Sequence, residues 1–128
     1  MKAILKKPVV AIDLDGVIAN YDGIWRGERH IGKPFPGAKK FLMLLKKADI
    51  DFIILTARNE KKHVLHWCAK NNLPKPLKIT NIKPQASVYI DDRAINFDGN
   101  FARLTRKLAN FSVYWRKNKR FSILKKYL

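Results

Sequence analysis

Asp13 and Asp15 stand two residues apart at the end of an apolar run, Val9 to Asp13. Thr56 closes a second predicted strand, Ile50 to Leu55, whose apolar stretch is Phe52 to Leu55. Lys83 follows a short third strand, Leu77 to Ile79, and Asp91-Asp92 close a fourth, Val88 to Ile90. Carboxylates gathered without His or Cys select a hard, oxygen-seeking cation, most simply Mg²⁺. Such a cation neutralises a phosphoryl group beside a carboxylate nucleophile. Lys83 would add positive charge and Thr56 a hydrogen bond to a phosphoryl oxygen. The backbone N–H groups after Asp13 would supply further donors. Asp15 is placed to give and take a proton.

These residues work together only if the fold brings them together. The first run, Val9 to Asp13, is apolar and β-branched without alternation, as a strand buried on both faces is. Helical patterns lie between the predicted strands. Pro36-Gly37 opens one helix, with Phe41, Leu44, Leu45 and Ala48 on one face. Asn59 is placed to cap the next, with Val64, Trp67 and Cys68 inward and Leu73-Pro74 after its end. Alternating strands and helices call for a parallel sheet with right-handed crossovers. Ligands of such a sheet bind at the carboxyl ends of its strands, where all these polar residues fall.

Taken with their surroundings, these residues form longer motifs. Asp13-Leu14-Asp15-Gly16-Val17 follows the first strand, and Phe52-Ile53-Ile54-Leu55-Thr56-Ala57-Arg58 spans the second. Lys83-Pro84 and Val88-Tyr89-Ile90-Asp91-Asp92-Arg93 complete the set. The chain resembles the haloacid dehalogenase superfamily of phosphohydrolases, over about residues 8–100. D-x-D-G by itself also occurs in calcium loops, but those need acids where Val17 and Ala19 stand. It is the four motifs together, each at a strand exit, that carry the resemblance.

The resemblance implies an aspartyl-phosphate mechanism. Asp13 would attack phosphorus, and Asp15 would protonate the leaving group and then activate water. Thr56 and Lys83 would hold the phosphoryl oxygens. Ala57 and Arg58, which complete the T-A-R run, are further candidates for phosphate contact. Mg²⁺ would be held by the Asp13 carboxylate, the Asp15 backbone carbonyl and Asp92, with Asp91 acting through water. Arg58 and Arg93 have two readings: contact with substrate phosphate, or ion pairing with the site carboxylates. The implied fold is a three-layer, Rossmann-like α/β core with strand order 3-2-1-4.

Family members differ by inserted cap domains. Asp15 to Pro36 leaves room for a flap and loop only, and Thr56 to Lys83 holds one helix and one short strand. The chain therefore reads as capless, with an open site. Tyr21, Trp25 and Arg26 in the flap are candidates for substrate contact, against ordinary packing of the loop. His63, His66 and Cys68 do not complete a zinc set, which needs four ligands at suitable spacing.

Composition bounds the rest. The 128 residues suffice for one core, read as a domain over 1–110 with a basic aromatic extension over 111–128. No run approaches the roughly 20 apolar residues that span a bilayer. Lys6, Lys7 and Pro8 stand where a signal peptide needs an apolar core, and one cysteine excludes an intrachain disulfide. A cytoplasmic setting is expected. The net charge of +17 points to an anionic partner. A phosphorylated substrate and a nucleic acid both fit, and so does the composition bias of a lysine-rich genome. Residues 101–128 hold nine Lys or Arg and no acid, with Tyr114, Trp115 and Phe121 among them. Phe101, Leu104, Leu108, Phe111 and Trp115 are spaced for an amphipathic helix, expected to about residue 110. Three functions stay open: a small-molecule phosphatase, a nucleic-acid end-processing phosphatase, and a non-enzymatic basic binding module. Oligomeric state is not legible.

Overall fold

The computed structural model describes residues 7–128, so the reading of the extreme N-terminus lies partly outside it. The chain divides into two compact units, which meet between Asp91 and Asp92.

The first unit carries four strands, β1 Val9–Ile12, β2 Asp51–Leu55, β3 Lys78–Thr80 and β4 Val88–Ile90. All pair in parallel, in the order β3-β2-β1-β4. The fold is thus α/β with the expected strand order. Helices α1 (Ala38–Lys47) and α2 (Lys61–Lys70) are the crossovers. Both lead the chain in the same direction across the sheet, from β1 to β2 to β3. Right-handed connections therefore place both on the same face.

Ile12, Leu14, Leu42, Ile54 and Val64 are fully buried and form the centre of the core. Val64, Trp67 and Cys68 are the buried face of α2, as their spacing predicts. In α1 the buried residues are Leu42 and Leu45, while Phe41 and Leu44 are exposed. The helix begins one residue after Gly37, and its phase turns Leu42 inward instead. Between Asp15 and Pro36 the chain forms turns and isolated bridges, and between Thr56 and Lys83 only α2 and β3. Among the described residues no separate domain is inserted at either point.

In the second unit, α3 (Phe101–Ala109) ends where the periodicity predicts. The Asn100 side chain caps it by accepting from the Arg103 N–H at 3.0 Å. Asp98 forms ion pairs with Arg103 at 3.2 Å and Lys107 at 3.9 Å. A 3-10 helix, Ser122–Tyr127, packs against α3. Beyond α3 the chain makes a turn with one bridge, Val113 to Arg116. Phe101, read as inward, is instead largely exposed and meets Phe97 in a tilted ring contact at 4.8 Å.

Candidate functional site

Strand register assembles the site. Ile12 pairs with Ile54 on one side and Ile90 on the other. Asp13 and Asp91, each one residue further on, therefore leave the sheet side by side. The Asp13 N–H still donates to the Ile90 carbonyl at 2.9 Å, which locks that alignment. One carboxylate oxygen of Asp13 comes within 4.8 Å of one of Asp91. The Leu14 N–H donates to Asp13 Oδ1 at 2.9 Å and fixes its rotamer. Two carboxylates this close repel each other unless a cation or a proton lies near. An all-oxygen donor pair at a partly exposed strand end fits a hard divalent cation.

The chain turns sharply after Asp15. Gly16 takes φ of 92°, a left-handed conformation that costs glycine little. The N–H groups of Gly16, Val17 and Ala19 bond within this turn, to Ala19, Leu14 and Leu14 carbonyls. The Leu14 N–H serves Asp13. Several of the donors expected to face phosphoryl oxygens are thus already engaged by the chain itself.

Thr56 leaves β2 and is buried. Its N–H donates to the Thr80 carbonyl at 2.9 Å, and its hydroxyl oxygen accepts from the Arg58 N–H at 3.2 Å. The hydroxyl can still donate its own proton to an anion. Ala57 is exposed at the turn. Lys83 is exposed, with its ammonium 4.8 Å over the Tyr89 ring of the edge strand β4. Asp92 opens the second unit, where its Oδ2 accepts from the Trp115 indole N–H. Trp115, one of the aromatics among the cations of residues 101–128, is thereby tied to an acid of its own unit.

Arg58 is the residue whose role the fold decides. Its side chain is 4% exposed and Asp15's is 14%. Arg58 Nε and Nη2 donate to the two Asp15 carboxylate oxygens, both at 2.8 Å. Nη2 also donates to the His30 carbonyl at 2.8 Å, and Nη1 to those of Glu28 at 2.9 Å and Gly27 at 3.4 Å. All five guanidinium N–H bonds are thus directed at the chain. Of its two readings, ion pairing with a site carboxylate is the one the geometry has. The Asp15 oxygens keep second lone pairs with which to accept a proton.

The same residue ties down the flap. The stem of the flap pairs Asn20 with Lys33 and Phe35 with Ile18 through backbone bonds. Gly32 must be glycine, because a Cβ there would lie 2.2 Å from the Asn20 carbonyl oxygen. Its own carbonyl accepts from the Trp67 indole at 3.0 Å. Glu28 reaches across to α2, where its Oε1 accepts from the N–H groups of Asn59 at 3.1 Å and Glu60 at 3.0 Å. The cap expected from Asn59 is therefore supplied from 31 residues away, with Glu60 at the N-cap position. An acid at a helix start also complements the helix dipole. No local pattern could have revealed it.

Flap residues and Arg58 line a cleft of about 350 Å³, which Asp15 also borders. Trp25, Ile24 and Tyr21 line it, together with the Asp22–Arg26 pair. Arg26 grips Asp22 at 3.0 and 2.7 Å and holds its carboxyl well below the usual carboxylate range. The three flap residues singled out in the sequence, Tyr21, Trp25 and Arg26, all border this cleft. Among the described residues, no His or Cys joins a metal-ligating group.

Comparison with known proteins gives the fold alone. No protein-family model matches this chain, and no curated protein matches it. A solved structure of a conserved protein coded by a locus of Bacteroides thetaiotaomicron is similar, with a TM-score of 0.58 and 19% sequence identity. The match covers 85% of this chain and 95% of that one. No helix among the described residues is long and apolar enough to cross a membrane.

Proposed function

We propose that this chain is a Mg²⁺-dependent phosphomonoester hydrolase acting through an aspartyl-phosphate on Asp13. The observation that carries the reading is the β1–β4 register, which sets the Asp13 and Asp91 carboxylates within 4.8 Å at the carboxyl edge of a parallel sheet. Asp13 and Asp91 would hold the cation, with Asp92 a further ligand by its place in the chain. When bound, the cation would offset charge on the phosphoryl oxygens.

The chain's own groups divide the remaining work. An Asp13 oxygen forms a bond to phosphorus as the bond to the leaving oxygen breaks, and Asp15 hands that oxygen a proton. Asp15 then takes a proton from water as the water oxygen attacks phosphorus and Asp13 departs. Thr56 orients a phosphoryl oxygen through its hydroxyl. Arg58 holds Asp15 in place and does not touch the phosphate. Lys83, in the loop between β3 and β4, lies over the Tyr89 ring and supplies positive charge to an approaching anion.

The test is a screen with Mg²⁺ across sugar phosphates, nucleotides and 3′- or 5′-phosphorylated oligonucleotides. Asp13→Asn abolishes turnover, because an amide is a poor nucleophile and a weaker ligand. Asp15→Asn loses general acid–base catalysis, roughly 10²–10⁴-fold. Wild-type rates in Asp13→Asn on every substrate would refute the mechanism.

A second reading, phosphatase action on nucleic-acid ends, draws on the second unit. Its cations over 101–128 meet no acid within that stretch, and Tyr114, Phe121 and Tyr127 are exposed among them. That reading requires salt-sensitive binding, with a log–log slope of about −0.7 per phosphate contacted on single strands. Oligonucleotides that fail to bind at low ionic strength would remove it.

A further inference from the structure

We propose that the flap cleft is the leaving-group pocket and that it takes a flat aromatic ring, a nucleobase, stacked on Trp25. The proposal rests on the phosphatase reading for the placement of the phosphate, but the ring site has its own basis in the cleft.

Asp15 lines the same cleft as Trp25. The group that protonates the leaving oxygen thus faces the flap, so whatever is esterified to the phosphate extends toward Trp25. Trp25 is a prepared platform. The Arg58 guanidinium closes on its ring at 4.6 Å from the centroid, yet the residue stays 52% exposed. Arg58 cannot swing away to meet an anion, because Asp15 and the carbonyls of the flap hold it. A ring landing on the indole therefore meets a surface already ordered, and little freedom is lost on binding.

Charge in the cleft argues for the same ligand. Its two cations are each matched by an acid, Arg58 by Asp15 and Arg26 by Asp22. A second phosphate or a carboxylate finds no unmatched cation among these walls. An uncharged flat group with polar edges suits them better, beside Ile24 and the rims of Asn20 and His30. The volume falls in the range of small-ligand clefts, about 300–1,000 Å³.

The experiment uses the full chain in two arms. In the first, 5′-AMP and ribose 5-phosphate, which share the phosphorylated ribose, are compared in turnover with Mg²⁺. A ring stacked on an aromatic side chain is expected to favour 5′-AMP roughly 5- to 150-fold in kcat/KM, chiefly through KM. Trp25→Ala brings that ratio to within about twofold of one, and Trp25→Phe restores most of it. In the second arm, adenosine, which has no phosphate, is titrated against the indole N–H resonances, with Trp25→Phe assigning the Trp25 signal. Saturable movement of that signal, with ribose giving none, supports the ring site even where no ester is hydrolysed, an outcome that sinks the phosphatase reading alone. Equal turnover of the two esters with no movement of the Trp25 signal overturns the ring site and leaves the phosphatase reading standing.

Discussion

Replacing Arg58 with alanine removes one half of a buried ion pair. Asp15 would then keep a charge in a site where its side chain is 14% exposed, with both former donors gone. Breaking a buried pair in this way typically costs about 3–5 kcal/mol. A domain of this size is stable by roughly 5–15 kcal/mol, so Arg58→Ala removes a large share. At roughly 4 °C per kcal/mol, the melting temperature falls about 12–20 °C. The asymmetry of buried pairs supplies the sharper test. Adding Asp15→Asn to Arg58→Ala removes the stranded charge, so the double variant is more stable than Arg58→Ala alone by about 1–3 kcal/mol. In the wild type, Asp15→Asn instead destabilises. Urea unfolding followed by circular dichroism at pH 7 measures all four corners of the cycle. High salt leaves the coupling nearly unchanged, because the pair is shielded from solvent ions. If Arg58→Ala costs under about 1 kcal/mol, or if Asp15→Asn lowers both backgrounds equally, the clamp described above does not exist.

Glu28→Gln keeps an acceptor at the start of α2 but loses its charge, and Glu28→Ala loses both. The expected losses rank in that order, up to about 1–2 kcal/mol for alanine, read as urea midpoints. Gly32→Ala forces the flap off the Asn20 carbonyl and is expected to cost about 1–3 kcal/mol, with the Trp67 indole N–H resonance displaced as its carbonyl acceptor moves. Cys68 is buried in α2, and burial pushes its thiol up to about 11. Ellman's reagent at pH 8 therefore labels it slowly in the folded chain and promptly in urea. The sign of the linkage follows: the thiol's contribution to stability is whole below about pH 9 and is lost as pH rises through about 11. Prompt labelling of the native chain at pH 8 would contradict that burial.

The sheet was legible because its strands announce themselves twice. Val9 to Ile12 and Phe52 to Leu55 are apolar without alternation and rich in β-branched residues, and each ends at a residue able to do chemistry. Those endings also located Asp13, Thr56 and Asp91 before any register was known. Helix phase was less secure. In α1, apolar residues at 41, 42, 44 and 45 allow two faces, and only packing under the sheet chose Leu42 over Phe41 and Leu44. The Asn59 cap misled for a related reason: asparagine favours that position locally, but an acid brought in by the fold outcompeted it.

Residue chemistry was thus written in the chain, and partnership was not. The sequence by itself determined that carboxylates and a hydroxyl end the strands of a parallel sheet, with an ammonium in the loop after one of them, because strand propensity is a local property. It left Arg58 between two readings, since a guanidinium serves phosphate and carboxylate alike. Only tertiary structure decided between them, by bringing Asp15 to within 2.8 Å across 43 residues of chain. The flap became a walled cleft by the same means. Its anchors join Arg58 to the Gly27, Glu28 and His30 carbonyls, Glu28 to α2, and Trp67 to Gly32. Every one is a hydrogen bond between groups about 30 residues apart, and such pairings leave no periodic trace in the order of amino acids.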